Sequence, residues 1–360
     1  MKIAVINMGN NIQGFKTTPA SETIYLKECL QDMGLDVDLI SMKPTQYGID
    51  YASVEDPNVY DRLLVVNAAL NFFGGEENKM NKEAYMFMNK YKSKIYYLFT
   101  DIRLPFEQAW RRMSKKKWSS KYTEDQFIVT SPIRVVSQGR DLEQCKKIHS
   151  ERLVGECQRD IIEFTHFALD RHKMYHSVFK IAADGIKMRD LIYGGTFRSG
   201  NREAKMVEYL FDTGLDVEFF GSVKAEQFKN PDFPWTTPPA FPGKVDSREM
   251  VQRNSTAYAT IILGDKTYDN NQITPRVWEA LASTAIAFFD TTFDPDMNIM
   301  NGNEFFYVSN RAELVEKVNA IKENEELRTV MLNYQHQILQ RYLDEKPIWQ
   351  AEFKKAIDLV

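Results

Sequence analysis

The strongest constraint in this sequence is a pattern in which short apolar runs alternate with amphipathic segments. The pattern is present in both halves of the chain. The apolar runs are rich in β-branched and aromatic residues, as buried strands are, and the segments between them have helical periodicity. In the first half the predicted strands are residues 2–8, 36–42, 62–69, 94–100 and 132–138, and the predicted helices are 21–34 and about 82–92. This alternation predicts a parallel sheet covered by helices on both faces.

The second half repeats the scheme. Its predicted strands are residues 190–195, 216–221, 259–264 and 285–290, its predicted helices are 203–214 and 273–283, and residues 311–358 have a helical pattern throughout. Residues 165–189 have a weak, charge-mixed pattern that is typical of a linker, and the Pro-rich residues 231–243 predict a loop. The expected fold is therefore α/β, with two doubly wound domains facing a central cleft. Functional residues should lie at the carboxyl ends of the strands.

The size and charge of the chain limit its function class. A length of 360 residues is about twice that of a typical domain and supports two domains. The formal net charge of −4 argues against a protein that is basic overall, so any contact with DNA must come from a local patch. Three cysteines without metal-ligand spacing, and no apolar run long enough to cross a membrane or act as a signal peptide, predict a soluble cytoplasmic protein.

The segment LIYGGTFRSGNR, residues 191–202, indicates an anion site. An apolar strand ends at two glycines, and Arg198 and Arg202 follow at a spacing of four, on one face if a helix already begins at Arg198. Amide groups at a helix start and two guanidinium groups suit a diphosphate. The segment lacks the Gly-Lys-Ser/Thr ending of a phosphate-binding loop and the GxGxxG spacing of a dinucleotide fingerprint. An ordinary strand-to-helix turn with surface arginines remains the alternative.

Other acidic and basic residues allow two interpretations each. Arg276 and Glu279 are three residues apart on a predicted helix. They could form an exposed ion pair, or they could be ligands to phosphate and ribose. Asp101 ends an apolar strand, where it could be a general base or a turn residue. Glu22, near the start of the first helix, could accept a sugar hydroxyl or compensate the helix dipole.

Two segments indicate contact with nucleic acid. The run RRMSKKKWSSK, residues 111–121, holds six basic residues and no acidic one, which predicts either a phosphate-binding surface or a solvated face. In NFFGG, residues 71–75, two aromatic residues precede a Gly-Gly pair, as in a wedge that stacks on bases or as a core anchor for a loop. The histidines show no metal-ligand motif, so the sequence leaves any metal unknown.

Several blocks resemble one known family. They are MGNN, FKTTPASETIYL, NFFGG, YKSKIYYLFTDIRLPF, YGGTFRSGNRE, MVEYLFDTGLDVEFFG, GDKTYDNN, RVWEALAS and FKKAIDL, which in this order are similar to the DNA β-glucosyltransferases of T-even bacteriophages. The resemblance runs nearly from end to end. It implies a GT-B fold with two Rossmann-like domains, at residues 1–177 and 178–342, and a C-terminal helix, 343–360, that returns to the N-terminal domain.

The resemblance also implies a reaction, in which glucose moves from UDP-glucose to 5-hydroxymethylcytosine in duplex DNA with inversion at the sugar and flipping of the target base. It makes Asp101 the catalytic base and places Glu22 and Asp265 at the sugar. The residues it assigns to UDP are Gly195, Thr196, Arg198, Arg202, Phe220, Val245, Tyr268, Arg276 and Glu279. It assigns Asn71 and Phe73 to the DNA, to which the basic run adds Arg111, Arg112, Lys115, Lys116 and Lys117.

The expected partners are double-stranded DNA containing 5-hydroxymethylcytosine and a UDP-sugar, with Mg²⁺ or Mn²⁺ as a stimulatory ion. We expect a monomer without membrane contact, acting in the cytoplasm of an infected bacterial cell. The family has serine at the positions of Ala20 and Thr196 and leucine at Pro275. These differences keep a pentose donor such as UDP-arabinose as an alternative. More remote alternatives are a GT-B transferase acting on a glycan or small molecule, and a non-enzymatic DNA-binding module.

Overall fold

The chain forms two compact units. A computed structural model of the protein describes residues 1–8, 21–42, 44–45, 48–49, 56–66, 91, 93–98, 133–138, 162–167, 179–195, 201–221, 235–245, 247–263, 275–357 and 359. Unit 1 comprises Met1–Met174 together with Pro347–Val360, and unit 2 comprises Tyr175–Lys346. None of the helices in these ranges has the length and hydropathy needed to span a membrane.

The described residues of unit 1 contain eight strands, one helix near the start and one at the end. The strands are β1 (Lys2–Met8), β2 (Asp36–Met42), β3 (Pro44–Thr45), β4 (Gly48–Ile49), β5 (Arg62–Val66), β6 (Ile95–Leu98), β7 (Ile133–Gln138) and β8 (Ile162–Phe167). The helices are α1 (Ser21–Asp32) and α7 (Lys346–Ala356), with a 3₁₀ turn at Pro57–Val59.

The described part of unit 2 is also built from strands and helices. Its strands are β9 (Arg189–Gly194), β10 (Val217–Phe220), β11 (Ala240–Gly243), β12 (Ala257–Ile262), β13 (Ile286–Asp290) and β14 (Tyr307–Val308). Its helices are α2 (Asn201–Leu210), α3 (Ser247–Ser255), α4 (Pro275–Leu281), α5 (Arg311–Glu323) and α6 (Glu325–Asp344), with a 3₁₀ turn at Glu304–Phe306.

The sheet of unit 1 is parallel, with strand order β2-β1-β5-β6-β7-β8, and β3 and β4 form a separate antiparallel ribbon. The central strand β1 is fully buried over residues 3–6. Helix α1 covers the sheet with Tyr25, Leu26, Cys29 and Leu30, which recur one turn apart and are all buried. Each such burial contributes about 1.5–3 kcal/mol, so this face holds α1 on the sheet.

The C-terminal helix α7 packs in unit 1. Phe353 and Ile357, at its end, are fully buried. Gln350 Nε2 donates a hydrogen bond to Asp32 Oδ2 at 3.0 Å, and Arg62 Nε donates to the carbonyl oxygen of Ile357 at 3.0 Å. The last segment of the chain therefore completes the core of the first unit.

The sheet of unit 2 is also parallel, with strand order β11-β10-β9-β12-β13-β14. This is the doubly wound order 3-2-1-4-5-6, in which the chain builds outward on one side of β9 and then crosses to the other. Strand β13 is buried at every residue, as expected for a strand covered on both faces. Gln335 of α6 binds the backbone of this strand, since its Oε1 accepts from Ala287 N at 2.8 Å.

The α/β fold class and the two parallel sheets are confirmed. The predicted strands at 2–8 and 36–42 have the observed bounds, and the bounds of the other predicted strands differ by at most two residues where they are described. Of the helix predicted near 82–92, only Tyr91 lies in the described ranges, where it is helical.

Four local predictions differ from the structure. The predicted loop at 231–243 contains β11 (Ala240–Gly243), an edge strand, where Pro242 is tolerated because one side of an edge needs no donor. The predicted linker at 165–189 overlaps β8, and α3 was not predicted. The segment at 311–358, predicted to be helical throughout, consists of three helices. Asn324 separates the first two, because its backbone N–H closes α5 and its side chain caps α6.

Candidate functional site

The second sheet has a topological switch point between β9 and β12. From β9 the chain proceeds to β10 and β11 on one side, whereas β12 pairs with β9 on the other. Connections therefore leave the carboxyl ends of these two strands in opposite directions. In doubly wound sheets ligands bind in the crevice that this divergence opens.

Two glycines bring the backbone at this edge into very close packing. A Cβ on Gly221 would lie 1.6 Å from the carbonyl oxygen of Gly195. A Cβ on Gly195 would lie 2.7 Å from Tyr193 Oη and 2.8 Å from Arg276 Nη1. Because real Cβ atoms do not approach so closely, both positions require glycine. Gly221 was missing from the predicted site, although the glycine that ends DVEFFG was a visible signal for it.

The amide of Gly195 has a partner within the protein. Its N–H donates to the carbonyl oxygen of Phe220 at 2.9 Å, and the N–H of Gly221 donates to the carbonyl oxygen of Gly243 at 3.0 Å. Both bonds extend the sheet ladder by one residue beyond the strand ends. The absence of a side chain at Gly195 makes room for Tyr193 and Arg276, which lie where its Cβ would be.

Arg276 reaches this edge from the start of α4. Its Nη1 donates to Tyr193 Oη at 3.0 Å and to the carbonyl oxygen of Gly194 at 3.1 Å. The guanidinium carbon lies 5.9 Å from the centre of the Tyr193 ring, within range of a cation–π attraction. Arg276 is therefore held at the carboxyl end of β9, where its charge suits an anion. Arg276 is half-buried and not fully exposed.

Glu279 lies one turn after Arg276 and is buried, with 5% of its surface exposed. Residues 277–281 are buried throughout, so this side of α4 faces the interior of the unit. Buried carboxylates are uncommon and are held by hydrogen bonds or charges. The burial of Glu279 excludes its interpretation as a solvated surface residue.

Phe220 and Val245 lie together at the ends of the neighbouring strands. Phe220 is 4% exposed and belongs to a buried cluster with Ile192, Met250 and Ala257, against which the half-buried Val245 packs. Of the two, Val245 has more surface available to a ligand. Gly195, Arg276, Phe220 and Val245, predicted from distant parts of the sequence, thus converge on one edge of the second sheet.

Helix α2 is fixed to the same sheet by a polar cluster. Lys205 Nζ contacts Asp290 Oδ1 and Thr292 Oγ1, and Tyr209 Oη donates to Asp290 Oδ2 at 2.9 Å. Asp290 is buried at the carboxyl end of β13. Burial and the adjacent Asp290 carboxylate raise the pKa of the Tyr209 hydroxyl, which therefore stays protonated as the donor. The cluster fixes the direction of a helix whose first turn carries Arg202.

The remaining predicted residues are described in part or not at all. Glu22 and Arg202 lie in α1 and α2, whose bounds are described while these two side chains are not. The helix α2 begins at Asn201, so Arg198 precedes it. The predicted residues outside the described ranges are Asn71, Phe73, Asp101, Arg111, Arg112, Lys115, Lys116, Lys117, Thr196, Arg198, Asp265 and Tyr268.

The described residues hold no group of three or more His, Cys, Asp or Glu side chains that could bind a metal ion. A hard divalent cation prefers several oxygen ligands, which carboxylates or a bound phosphate can supply. The part of the site that is described therefore offers a cation no preformed protein cage.

Comparison with known proteins relates this chain to a family. Residues 1–173 match the family described as Bacteriophage T4 beta-glucosyltransferase, and residues 202–346 match one described as Glycosyl transferase-like. The DNA beta-glucosyltransferase of Enterobacteria phage T4 is 50% identical over 359 residues, which span 100% of this chain and 100% of that protein.

Solved structures of T4 phage BGT agree with the fold. An aspartate-to-alanine variant in complex with UDP-glucose has a TM-score of 0.79 at 49% identity, covering 99% of this chain and 100% of the relative. The complex with UDP and Mn²⁺ has a TM-score of 0.78 at 49% identity with the same coverage. Identity at this level over the whole length of both chains means that this protein belongs to the bacteriophage T4 beta-glucosyltransferase family.

Proposed function

We propose that this chain transfers glucose from UDP-glucose to DNA, and that the acceptor is the hydroxymethyl group of 5-hydroxymethylcytosine in a duplex. The observation that carries the proposal is Arg276, held beside two obligatory glycines at the switch point of the second sheet. The 50% identity to a DNA beta-glucosyltransferase supports the reaction class. The UDP-glucose complex of the T4 phage relative supports the donor.

The donor site in this proposal is the carboxyl edge of the second sheet. Arg276, Arg198 and Arg202 bind the diphosphate, because planar guanidinium groups form paired hydrogen bonds with phosphate oxygens. Gly195 and Thr196 hold the diphosphate together with these arginines. Glu279 binds the ribose diol, Phe220, Val245 and Tyr268 border the nucleoside, and Glu22 and Asp265 bind the sugar hydroxyls.

The chemical step is a single displacement at C1 of glucose. The hydroxymethyl oxygen forms a bond to C1 while the bond from C1 to the β-phosphate oxygen breaks, so the configuration at C1 inverts. Asp101 accepts the hydroxyl proton, because a primary alcohol is a weak nucleophile until that proton is removed. The arginines stabilise the negative charge that develops on UDP.

Chain length supports Asp101 in this role. It follows Leu98, the last residue of β6, by three positions, and three residues span at most about 11 Å. The proposed role follows the general rule that doubly wound folds carry their functional groups just after the carboxyl ends of their strands.

A divalent cation is proposed as a stimulatory ion, following the T4 phage complex with UDP and Mn²⁺. When bound to the diphosphate, Mg²⁺ or Mn²⁺ would add positive charge beside the leaving group. The arginine set supplies the same kind of stabilisation from the protein.

DNA contact is proposed for the segments that follow β5 and β6. The basic residues Arg111, Arg112 and Lys115–Lys117 bind phosphates of the duplex, which a chain of net negative charge can do through a local patch. Asn71 and Phe73 enter the duplex as the target base flips out, which costs a few kcal/mol. We propose that the enzyme acts as a monomer in the cytoplasm of the infected host cell.

A panel of donors tests the proposal most directly. Duplex DNA containing 5-hydroxymethylcytosine is incubated with the protein and UDP-glucose, UDP-arabinose or other UDP-sugars, and the DNA is analysed by mass spectrometry. We expect one added hexose per modified cytosine with UDP-glucose alone. Addition of a pentose would select UDP-arabinose, and no addition to the DNA with any donor would overturn the proposed acceptor.

Replacement of the proposed base separates chemistry from binding. We expect Asp101→Ala to lower turnover by about 10²–10⁴-fold, the contribution of a general base, while UDP-glucose affinity stays within a few-fold. Asp36→Ala, at the exposed amino end of β2, is the matched control and should turn over normally. Near-normal turnover in Asp101→Ala would overturn this assignment.

Neutralising the basic run tests the DNA surface. We expect the triple change of Lys115, Lys116 and Lys117 to glutamine to weaken DNA binding and to flatten its salt dependence, by roughly one unit of slope for each DNA phosphate that is no longer neutralised. The double change of Lys354 and Lys355 to glutamine, in α7, is the control for removal of positive charge. An unaltered slope would mean that the run is only a solvated face.

A further inference from the structure

Tyr193, in β9, holds a predicted ligand-binding residue with its side chain. Its hydroxyl oxygen accepts a hydrogen bond from Arg276 Nη1 at 3.0 Å, across 83 positions of sequence. The ring also lies under the guanidinium, 5.9 Å from its carbon atom to the ring centre. Arg276 is thus contacted by both the polar and the aromatic part of one side chain.

The position of the Tyr193 side chain is itself fixed. The residue is fully buried, and its ring packs edge-on against Phe219, with 5.0 Å between centroids and 81° between planes. Gly195 has no side chain to displace the pair, since a Cβ there would meet Tyr193 Oη and Arg276 Nη1 within 2.8 Å. A rigid aromatic side chain therefore supports a long, flexible cationic one, which otherwise has many rotamers.

We propose that Tyr193 is a positioning residue for donor binding, which acts on the UDP diphosphate through Arg276. This inference rests on the proposed function, because it takes the anion at Arg276 to be that diphosphate. The guanidinium is a planar fork of five N–H donors, so fixing Nη1 on Tyr193 and on the carbonyl oxygen of Gly194 fixes the direction of the whole fork. Preorganisation of this kind improves affinity because less freedom is lost when the ligand binds.

A double-mutant cycle tests the mechanism, with the affinity of UDP measured by calorimetry in four proteins. They are the unmodified chain, Tyr193→Phe, Arg276→Ala and the double variant. We expect Tyr193→Phe, which removes the hydroxyl and keeps the ring, to raise the Kd of UDP by about tenfold, the scale of one hydrogen bond to a charged group. In the Arg276→Ala background the same change should raise Kd less than about twofold, because the group through which Tyr193 acts is gone.

The control is Tyr307→Phe. Tyr307 is also buried and in unit 2, and its hydroxyl donates to a carboxylate, Asp294 Oδ2, at 2.7 Å, away from Arg276. We expect this variant to lose stability in chemical denaturation without a change in UDP affinity. If Tyr193→Phe does not fold, Gly195→Ala presses on the same pair and should weaken UDP binding, whereas Gly185→Ala, whose Cβ would lie 3.8 Å from its nearest neighbour, should not.

The outcomes are distinguishable. Equal fold-changes in both backgrounds, or an unchanged Kd in Tyr193→Phe, would overturn the positioning role while leaving the donor assignment intact. An unmodified chain that binds no UDP would overturn both the proposed function and this inference. We expect Tyr193→Phe to weaken UDP binding only in the protein that retains Arg276.

Discussion

The two ends of the second sheet each hold a buried or half-buried cation, and they hold it in different ways. At the amino end, Lys187 Nζ donates to the carbonyl oxygens of Ser255 and Thr284 at 3.0 and 2.9 Å and to Thr284 Oγ1 at 2.8 Å, and it pairs with Asp184 at 3.1 Å. An ammonium has only three N–H donors, so acceptors within the protein already use all the donors of Lys187. Burial lowers the pKa of Lys187 despite the neighbouring carboxylate.

At the carboxyl end, the partners of Arg276 Nη1 are a tyrosine hydroxyl and a peptide carbonyl, both neutral. These two acceptors orient the guanidinium, which is a planar fork of donors. The contrast indicates that the amino end uses its cation to join a connecting segment to the sheet. Under the proposed function, the carboxyl end uses its cation to bind the diphosphate of UDP.

The largest expected effect comes from filling the glycine contact at the carboxyl end. Gly221→Ala would place a Cβ against the Gly195 carbonyl, so we expect the free energy of unfolding to fall by about 3 kcal/mol and UDP binding to be abolished. Gly185→Ala, near the amino end, should change stability by less than about 1 kcal/mol. Chemical denaturation and calorimetry measure both; similar effects in the two variants would remove the distinction between the ends.

Replacing each cation by methionine should produce opposite results. Arg276→Met should weaken UDP binding by about 1.5–3 kcal/mol, the value of hydrogen bonds to a charged group, with little loss of stability. Lys187→Met should lower the free energy of unfolding by about 1–3 kcal/mol, since it strips buried carbonyls of their donor, and leave UDP affinity unchanged. A loss of UDP affinity in Lys187→Met would show that the two ends are coupled.

The smallest effect concerns pH at the amino end. His336 Nε2 lies 3.0 Å from the Ser283 carbonyl oxygen, and burial lowers the pKa of this imidazole below 6.5, against the smaller opposing effects of that carbonyl and of Asp184. The folded state therefore favours the neutral form of the His336 imidazole. Its contribution is complete above pH 6.5 and disappears as the pH falls from there through the folded pKa.

We expect the stability of the unmodified chain to fall more steeply between about pH 7 and about pH 5 than that of His336→Gln. Denaturation curves over this range measure the slopes. UDP affinity should have the same pH dependence in both proteins, because His336 lies at the end of the sheet away from Arg276. Parallel stability curves would mean that His336 titrates alike in the folded and unfolded states.

The strands of the fold could be predicted well because their signal is local. The run at 2–8 has an apolar, β-branched centre, the run at 36–42 mixes apolar residues with polar ones, and the observed bounds of both agree with the prediction. The strand β11 was missed because its residues, Ala240–Gly243, include a proline and stand in a Pro-rich segment. Only its position at the edge of the sheet makes it a strand, and that position is a tertiary fact.

The site shows the same limit more sharply. RVWEALAS marked Arg276 and Glu279, but the local pattern could not decide between an exposed ion pair and ligands to phosphate and ribose. That Glu279 is buried, and that Tyr193 holds Arg276, depends on contacts between a strand and a helix 83 positions apart. No local pattern carries this information, so Tyr193 became visible as a site residue only in three dimensions.

The division of unit 1 into two segments of chain has a consequence for synthesis. Phe353 and Ile357 fill the core of that unit, yet they are translated after all of Tyr175–Lys346. Unit 2 is continuous and can fold as soon as it leaves the ribosome, because domains fold as units during synthesis. Unit 1 begins first and finishes last, so its core stays open to chaperones and proteases until the C-terminal helix arrives.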